Sequence, residues 1–252
     1  MIKKIALFIF VSVVVLSLSG IAGASMMIPA SDKAKEHAKA PEKSPVIGEN
    51  WDLERVDFIH YARPNKPGKG RKTNACYKLL GVKWRELAVD YIINPSNPFG
   101  LTESFVTSAI STSAETWDSE TSAELLNDNY GVDYELEYGT QDYKNAIVFD
   151  DYPNDGVIGV TSIWYTRRGK RIVEFDILLN TRFDWGDGEA NPAIMDVENI
   201  MTHELGHGLG LGDIYNDTCS AVTMFGYSTE GDVEKRSLET SDITGLQAMY
   251  GM

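Results

Sequence analysis

Two histidines four residues apart, with a glutamate after the first, stand in the run Thr202-His203-Glu204-Leu205-Gly206-His207-Gly208-Leu209-Gly210-Leu211-Gly212-Asp213. On a helix, side chains at i and i+4 share a face, so His203 and His207 can each offer one imidazole nitrogen to a single metal ion. Glu204 points to one side of that pair. There a carboxylate reaches a water on the metal without ligating the metal itself, which is the placement of a general base. The glycines that follow are poor helix formers, and a positive φ at Gly210 would reverse the chain and bring Asp213 back as third ligand. Three protein ligands leave a fourth zinc position open, as catalytic rather than structural sites do.

The elements that must position these groups follow from pattern. Leu87 to Asn94 reads as a strand, broken by Pro95 and Pro98. Thr102 can cap a helix on which Val106, Ala109, Ile110, Ser113 and Trp117 recur at helical spacing. Val132, Tyr134, Leu136 and Tyr138 alternate with acids, as in a half-buried strand. Asn145 to Asp150, Val157 to Tyr165 and Arg171 to Leu179 read as three more strands. Pro192 suits the first position of a helix with Val197, Met201 and Leu205 on its core side and the histidines on the other. Thr240 or Ser241 can cap a closing helix with Ile243, Leu246 and Tyr250 inward. The count is five strands and three helices.

Ahead of this lies a front segment of different character. Lys3 and Lys4, an apolar stretch from Ile5 to about Leu18 and Ala22-Gly23-Ala24 make residues 1–24 a secretory signal peptide. Export is the expectation; left uncleaved, the same stretch would tether the protein to a membrane. Residues 25–50 carry no apolar periodicity, Trp51 to Tyr61 suggests one strand, and Pro64 to Thr73 is a basic loop suited to processing, though a solvated loop is the simpler reading. Residues 25–83 therefore read as linker or prosegment. Residues 1–83 carry a net charge of +7 and residues 84–252 a net charge of −21. The acidic part argues against nucleic acid or an anionic membrane as partner, and the basic front could dock on it within one chain.

At this point the residues resemble a family. The 203–213 stretch is similar to the metzincin signature, and Val222-Thr223-Met224-Phe225, 11 residues past Asp213, looks like that family's Met-turn. The ending from Leu238 to Gly251, Trp84, and the order of elements resemble matrixin catalytic domains. The resemblance implies an α+β metzincin or zincin-like domain over 84–252, with a twisted mixed five-stranded sheet, three helices and an active-site cleft. It implies one catalytic zinc on His203, His207 and Asp213, with Glu204 as base and Met224 beneath. Aspartate stands where matrixins carry a third histidine. Gly210 and Met224 weigh against Glu239, the rival third ligand. No histidine lies between His60 and His203, so the family's second zinc is not expected; Asp151, Asp155, Asp184 and Asp187 could hold calcium instead.

The function implied is that of a secreted, monomeric zinc endopeptidase acting on proteins or peptides. Tyr227 is a candidate for the oxyanion or a pocket wall, and Val157 to Tyr165 for the edge on which an extended substrate pairs. A non-catalytic adhesion or peptide-binding module on the same fold, or a zinc hydrolase of cell-wall peptides, stays as an alternative. Cys76 and Cys219, the only cysteines, are expected to form one disulfide in an exported chain. The competing role for Cys76 is a zinc-blocking latency switch, although Asn74-Ala75-Cys76-Tyr77 does not match the family's switch motif. His60 as an inhibitory ligand from the prosegment is the lesser reading of that residue beside an ordinary strand histidine.

Overall fold

Val157–Thr166 (β5) is buried along nearly its whole length, with a strand on each side of it, the helix Val197–Gly208 packed against it, and Tyr138 and Arg55 against Ser162 and Trp164. The computed structural model describes residues 52–62 and 75–252; the expected signal peptide, the 25–50 linker and the Pro64 to Thr73 loop lie outside them. The sheet contains Leu53–Ala62 (β1), Ile92–Ile93 (β2), Gly131–Val132 (β3), Ala146–Asp150 (β4), β5, Ile172–Asn180 (β6) and Tyr227–Ser228 (β9). Trp185–Gly186 (β7) and Met195–Asp196 (β8) form a separate two-stranded ribbon. Three helices complete the order: Glu103–Asp118 (α1), Val197–Gly208 (α2) and Thr240–Tyr250 (α3).

The sheet has seven strands, in the order β3-β2-β4-β6-β5-β1-β9, rather than the expected five. It is mixed: β4 runs parallel to β6, and β5 antiparallel to both β6 and β1. The largest departure is β1, a strand the sequence places in the linker. It pairs with β5 from Leu53↔Thr166 to Tyr61↔Val157 and then runs parallel to β9 through Tyr61↔Tyr227 and Ala62↔Ser228. Val56 and Phe58 are buried beneath it, each contributing about 1.5–3 kcal/mol of apolar burial. Consequently β5 is not the free edge that an extended substrate would need.

Other expected elements are shorter than the pattern implies. Of Leu87 to Asn94 only β2 joins the ladder, while Val89 makes an isolated bridge to Leu126. The alternating run after Val132 leaves the sheet because the Asn94 side-chain amide takes the carbonyls of Tyr134 and Leu136 at 3.1 Å each, in place of a partner strand. Pro192 does not open the second helix. Pairing of β8 with β7 keeps the chain extended to Asp196, whose carboxylate then caps α2 by accepting from Asn199 N at 2.7 Å. The closing helix is capped by Glu239 with Asp242 in a capping box, not by Thr240 or Ser241.

The core lies between the sheet and the helices. α2 packs on β5 and β6, and α1 backs α2, where Trp117 Nε1 donates to Thr202 O at 2.8 Å. Trp84 Nε1 donates to Gly208 O at 2.9 Å and Tyr250 OH to Leu209 O at 2.8 Å, so both ends of the domain fasten the last turn of α2. Among the described residues no helix is long and apolar enough to cross a membrane.

Candidate metal centre

α2 presents His203 and His207 one turn apart, and both side chains are fully buried. Their Nε2 atoms lie 3.1 Å from each other. Helix α2 stops at Gly208, and Gly210 has φ +104° with the Val82 carbonyl pressed against the place of a Cβ, so the chain turns sharply there. That reversal delivers Asp213, whose Oδ1 lies 3.3 Å from both Nε2 atoms. A tetrahedral ion with ligands at about 2.0–2.1 Å requires donor atoms about 3.3 Å apart, and the three separations fit it. A second observation agrees. Asp213 Oδ1 is buried with no hydrogen-bond partner, an orphaned acceptor that a cation would satisfy.

The far side of each imidazole is fixed. His203 Nδ1 lies 2.7 Å from the Thr223 carbonyl and His207 Nδ1 2.9 Å from the Leu211 carbonyl, which puts the proton on Nδ1 and leaves Nε2 as the ligating lone pair. Burial lowers the His203 pKa to about 4. Burial would raise Asp213, but the imidazoles of His207 and His203 beside it hold it well below the usual carboxylate range. Tyr215, which the sequence reading did not single out, also hydrogen-bonds Asp213.

Met224 is fully buried beneath α2, in a turn whose backbone is clamped by α3. Asp242 accepts from Thr223 N at 2.8 Å and Met224 N at 3.2 Å. Pattern gave Asp242 no separate role, although it falls inside the closing stretch. Past the turn, Tyr227 lies in β9, its ring against Tyr215 and Phe225 at 5.2 and 5.7 Å between centroids.

Glu204 is fully buried, and burial raises its pKa to about 7. Its Oε2 accepts from Thr161 Oγ1 of β5 at 2.6 Å, and its Oε1 lies 3.1 Å from His60 Nδ1 of β1. His60 also lies against His203, tilted by 37° with 4.0 Å between ring centroids, while Phe58 lies flat on His207 at 4.4 Å. Two side chains of β1 thus roof the group at which sequence reading aimed. Only two sets of side chains among the described residues are grouped to hold a metal: His203, His207 and Asp213, and the overlapping His60, His203 and Glu204. Of the acids considered for calcium, Asp151 and Asp155 pair with Arg182, and Asp187 with Arg236. Glu239 serves as a helix cap.

Cys76 and Cys219 form a disulfide with 5.5 Å between Cα atoms, so Cys76 has no thiol for the metal. It joins the segment before Trp84 to the loop after Asp213.

The matrixin family model matches residues 83–251. Human Matrix metalloproteinase-16 is 28% identical over 213 residues, covering 79% of this chain and 33% of the relative. Metalloendoproteinase 4-MMP of Arabidopsis thaliana is 31% identical over 103 residues, covering 40% of this chain and 28% of the relative. The chain spans about a third of the length of such relatives.

Proposed function

This chain belongs to the matrixin family, and from that membership we propose that it is an exported zinc-dependent endopeptidase kept latent by its own β1. In this reading residues 1–24 direct export, residues 25–83 are a prosegment and residues 84–252 are the catalytic domain. His203, His207 and Asp213 hold the zinc. When bound, zinc supplies Lewis acidity, polarising the scissile carbonyl and making a water acidic enough to attack near neutral pH. Glu204 takes the proton of the attacking water and returns it to the leaving amine. Its raised pKa suits a group that must both accept and give a proton. Thr161 steadies the carboxylate from behind. Met224 supports the histidines from below, and Tyr227 forms part of the cleft wall.

The observation that carries the reading is the set of three donor atoms at tetrahedral spacing beside a buried glutamate. Latency is supported by β1, which covers both histidines and bonds Glu204, and which leads into the basic 64–73 loop where a processing cut would release it. Calcium at Asp151, Asp155 or Asp187 would have to displace Arg182 or Arg236. The test is metal analysis of the exported protein and casein cleavage before and after a cut in residues 64–73. One bound zinc, with activity that appears on cutting and is lost in Glu204→Ala, is expected. Undiminished cleavage by Glu204→Ala would end the proposal.

A further inference from the structure

The place taken by His60 is a closed chamber, and its far wall is a buried lysine that the chemistry above does not use. Lys235 is 3% exposed. Its Nζ donates to Phe225 O at 2.5 Å, Tyr227 O at 2.9 Å and Ser228 Oγ at 2.8 Å, and lies 3.5 Å from His60 Nε2. Those contacts satisfy its protons but not its charge: among the described residues no carboxylate lies within ion-pair distance of it. An unpaired ammonium out of water is costly. Tying down residues 225–228 would need only neutral donors. Burial brings the Lys235 pKa down to about 8.

An ammonium carries no lone pair, so the His60 nitrogen facing it is the unprotonated one, and the ring bridges the chamber as a neutral group. Nδ1 donates to Glu204 Oε1 at the mouth, and the Nε2 lone pair faces Lys235. It does so from an extended strand that pairs antiparallel with β5 opposite Gly159 and continues parallel to β9. A peptide that replaced β1 on the same two strands would put one side chain in the same chamber. Since Glu204 returns its proton to the leaving amine, the residue bearing that amine is the one whose side chain emerges beside Glu204.

We propose that Lys235 is the specificity-determining residue of this cleft, selecting a side chain with a hydrogen-bond acceptor at its tip, such as glutamine, glutamate or histidine, on the residue that follows the scissile bond. The proposal rests on the peptidase reading for its substrate, but the chamber can be tested without turnover. An aliphatic side chain there leaves the ammonium facing hydrocarbon, whereas an acceptor turns a negative dipole or charge toward it and shares its protons, a gain of about 10- to 100-fold.

The experiment uses the full chain and reads hydrogen exchange of the β1 amides. His60→Gln and His60→Leu are compared in the parent and in Lys235→Met. In the parent, Gln should protect β1 about 10- to 100-fold better than Leu; in Lys235→Met the order should reverse. Lys235→Arg, which keeps the charge if methionine disturbs the 225–228 wall, should preserve the parent order. Leu protecting as well as Gln beside Lys235, or one order in every background, overturns the proposal. A peptide library cut by the processed enzyme supplies the second readout. Acceptor-tipped residues enriched after the cut support the assignment, and leucine enriched there overturns it. No cleavage of any peptide would fail the peptidase reading alone, with the exchange order still deciding the chamber.

Discussion

The sulfur of Met224 rests against the backbone of Gly206, in the space a side chain at position 206 would need. A Cβ there would also come within 2.7 Å of Trp117 Cζ2. The residue between the two histidines on the helix is thus small because the turn beneath and α1 behind both close on it. Gly206→Ala should destabilise the protein by about 1–3 kcal/mol through overpacking, or a fall of roughly 2–4 °C in Tm per kcal/mol. Trimming the partner to Met224→Ala creates a cavity and costs about 2–5 kcal/mol alone. The double variant should lose less than the two losses added, because the alanine fills part of the space the sulfur leaves. Additive losses in thermal melts would mean that the two do not touch.

The proposed zinc ligand set can be checked through stability as well as activity. Without metal the buried Asp213 Oδ1 has no partner, so zinc should stabilise the fold. At a free concentration of 100 times Kd the gain is about 2.7 kcal/mol. Asp213→Ala removes a direct ligand and should weaken zinc by more than the roughly 10- to 100-fold typical of outer partners. Glu204→Ala should keep zinc. Equal zinc-induced shifts in Tm for Asp213→Ala and the parent would remove Asp213 from the set.

How far the site was legible depends on whether its parts are local. His203, Glu204 and His207 sit on one helical turn, and Gly210 announces the reversal that brings Asp213, so spacing alone assembles them. Trp84, Met224 and the closing helix fit because each fastens α2 or the turn beneath it. β1 was readable as a strand but not as a member of the sheet, since its pairing with β5 bridges about a hundred residues and nothing in its alternation names a partner. Lys235 was invisible for a similar reason. A lysine in the short surface-like run Glu234-Lys235-Arg236 reads as solvated, and only the folded path of residues 225–228, with His60 and α2, buries it. The chain from 133 to 138 shows the opposite error: perfect alternation, but carbonyls claimed by the Asn94 side chain.

The proposed latency, by a strand rather than by a thiol, gives a redox prediction. The Cys76–Cys219 bridge closes a loop of 143 residues, and its loss in the Cys76→Ser/Cys219→Ser variant should cost about 2–5 kcal/mol. Reduction frees a thiol but leaves the His60–Glu204 contact in place, so it should not switch on casein cleavage, whereas His60→Ala should raise basal activity by loosening β1. Activation by reducing agent with β1 still protected from exchange would return Cys76 to the role of switch.

Acidic groups outside the site set the pH dependence of stability. Asp176 is 1% exposed and its pKa is raised to about 7, chiefly by burial, although Gly139 N and Ala146 N donate to it at 2.7 and 3.1 Å. Asp118 is raised to about 6 for the same reason, and its Oδ2 is buried without a partner. Both hold a proton in the folded chain over a range where the unfolded chain has released it. The unfolded state then binds fewer protons, so stability falls as pH rises. The window runs from the ordinary aspartate value near 3.9 to about 7. Full ionisation of Asp176 costs at most about 4 kcal/mol, at 1.36 kcal/mol for each pKa unit. In Asp176→Asn one of the two backbone donors meets an amide NH2 instead of an oxygen, which costs about 1–3 kcal/mol at every pH. The diagnostic is therefore the slope: urea midpoints of the parent should decline between pH 4 and 7, and those of Asp176→Asn should decline distinctly less. Equal slopes would show that Asp176 ionises in the folded protein as it does in the unfolded one.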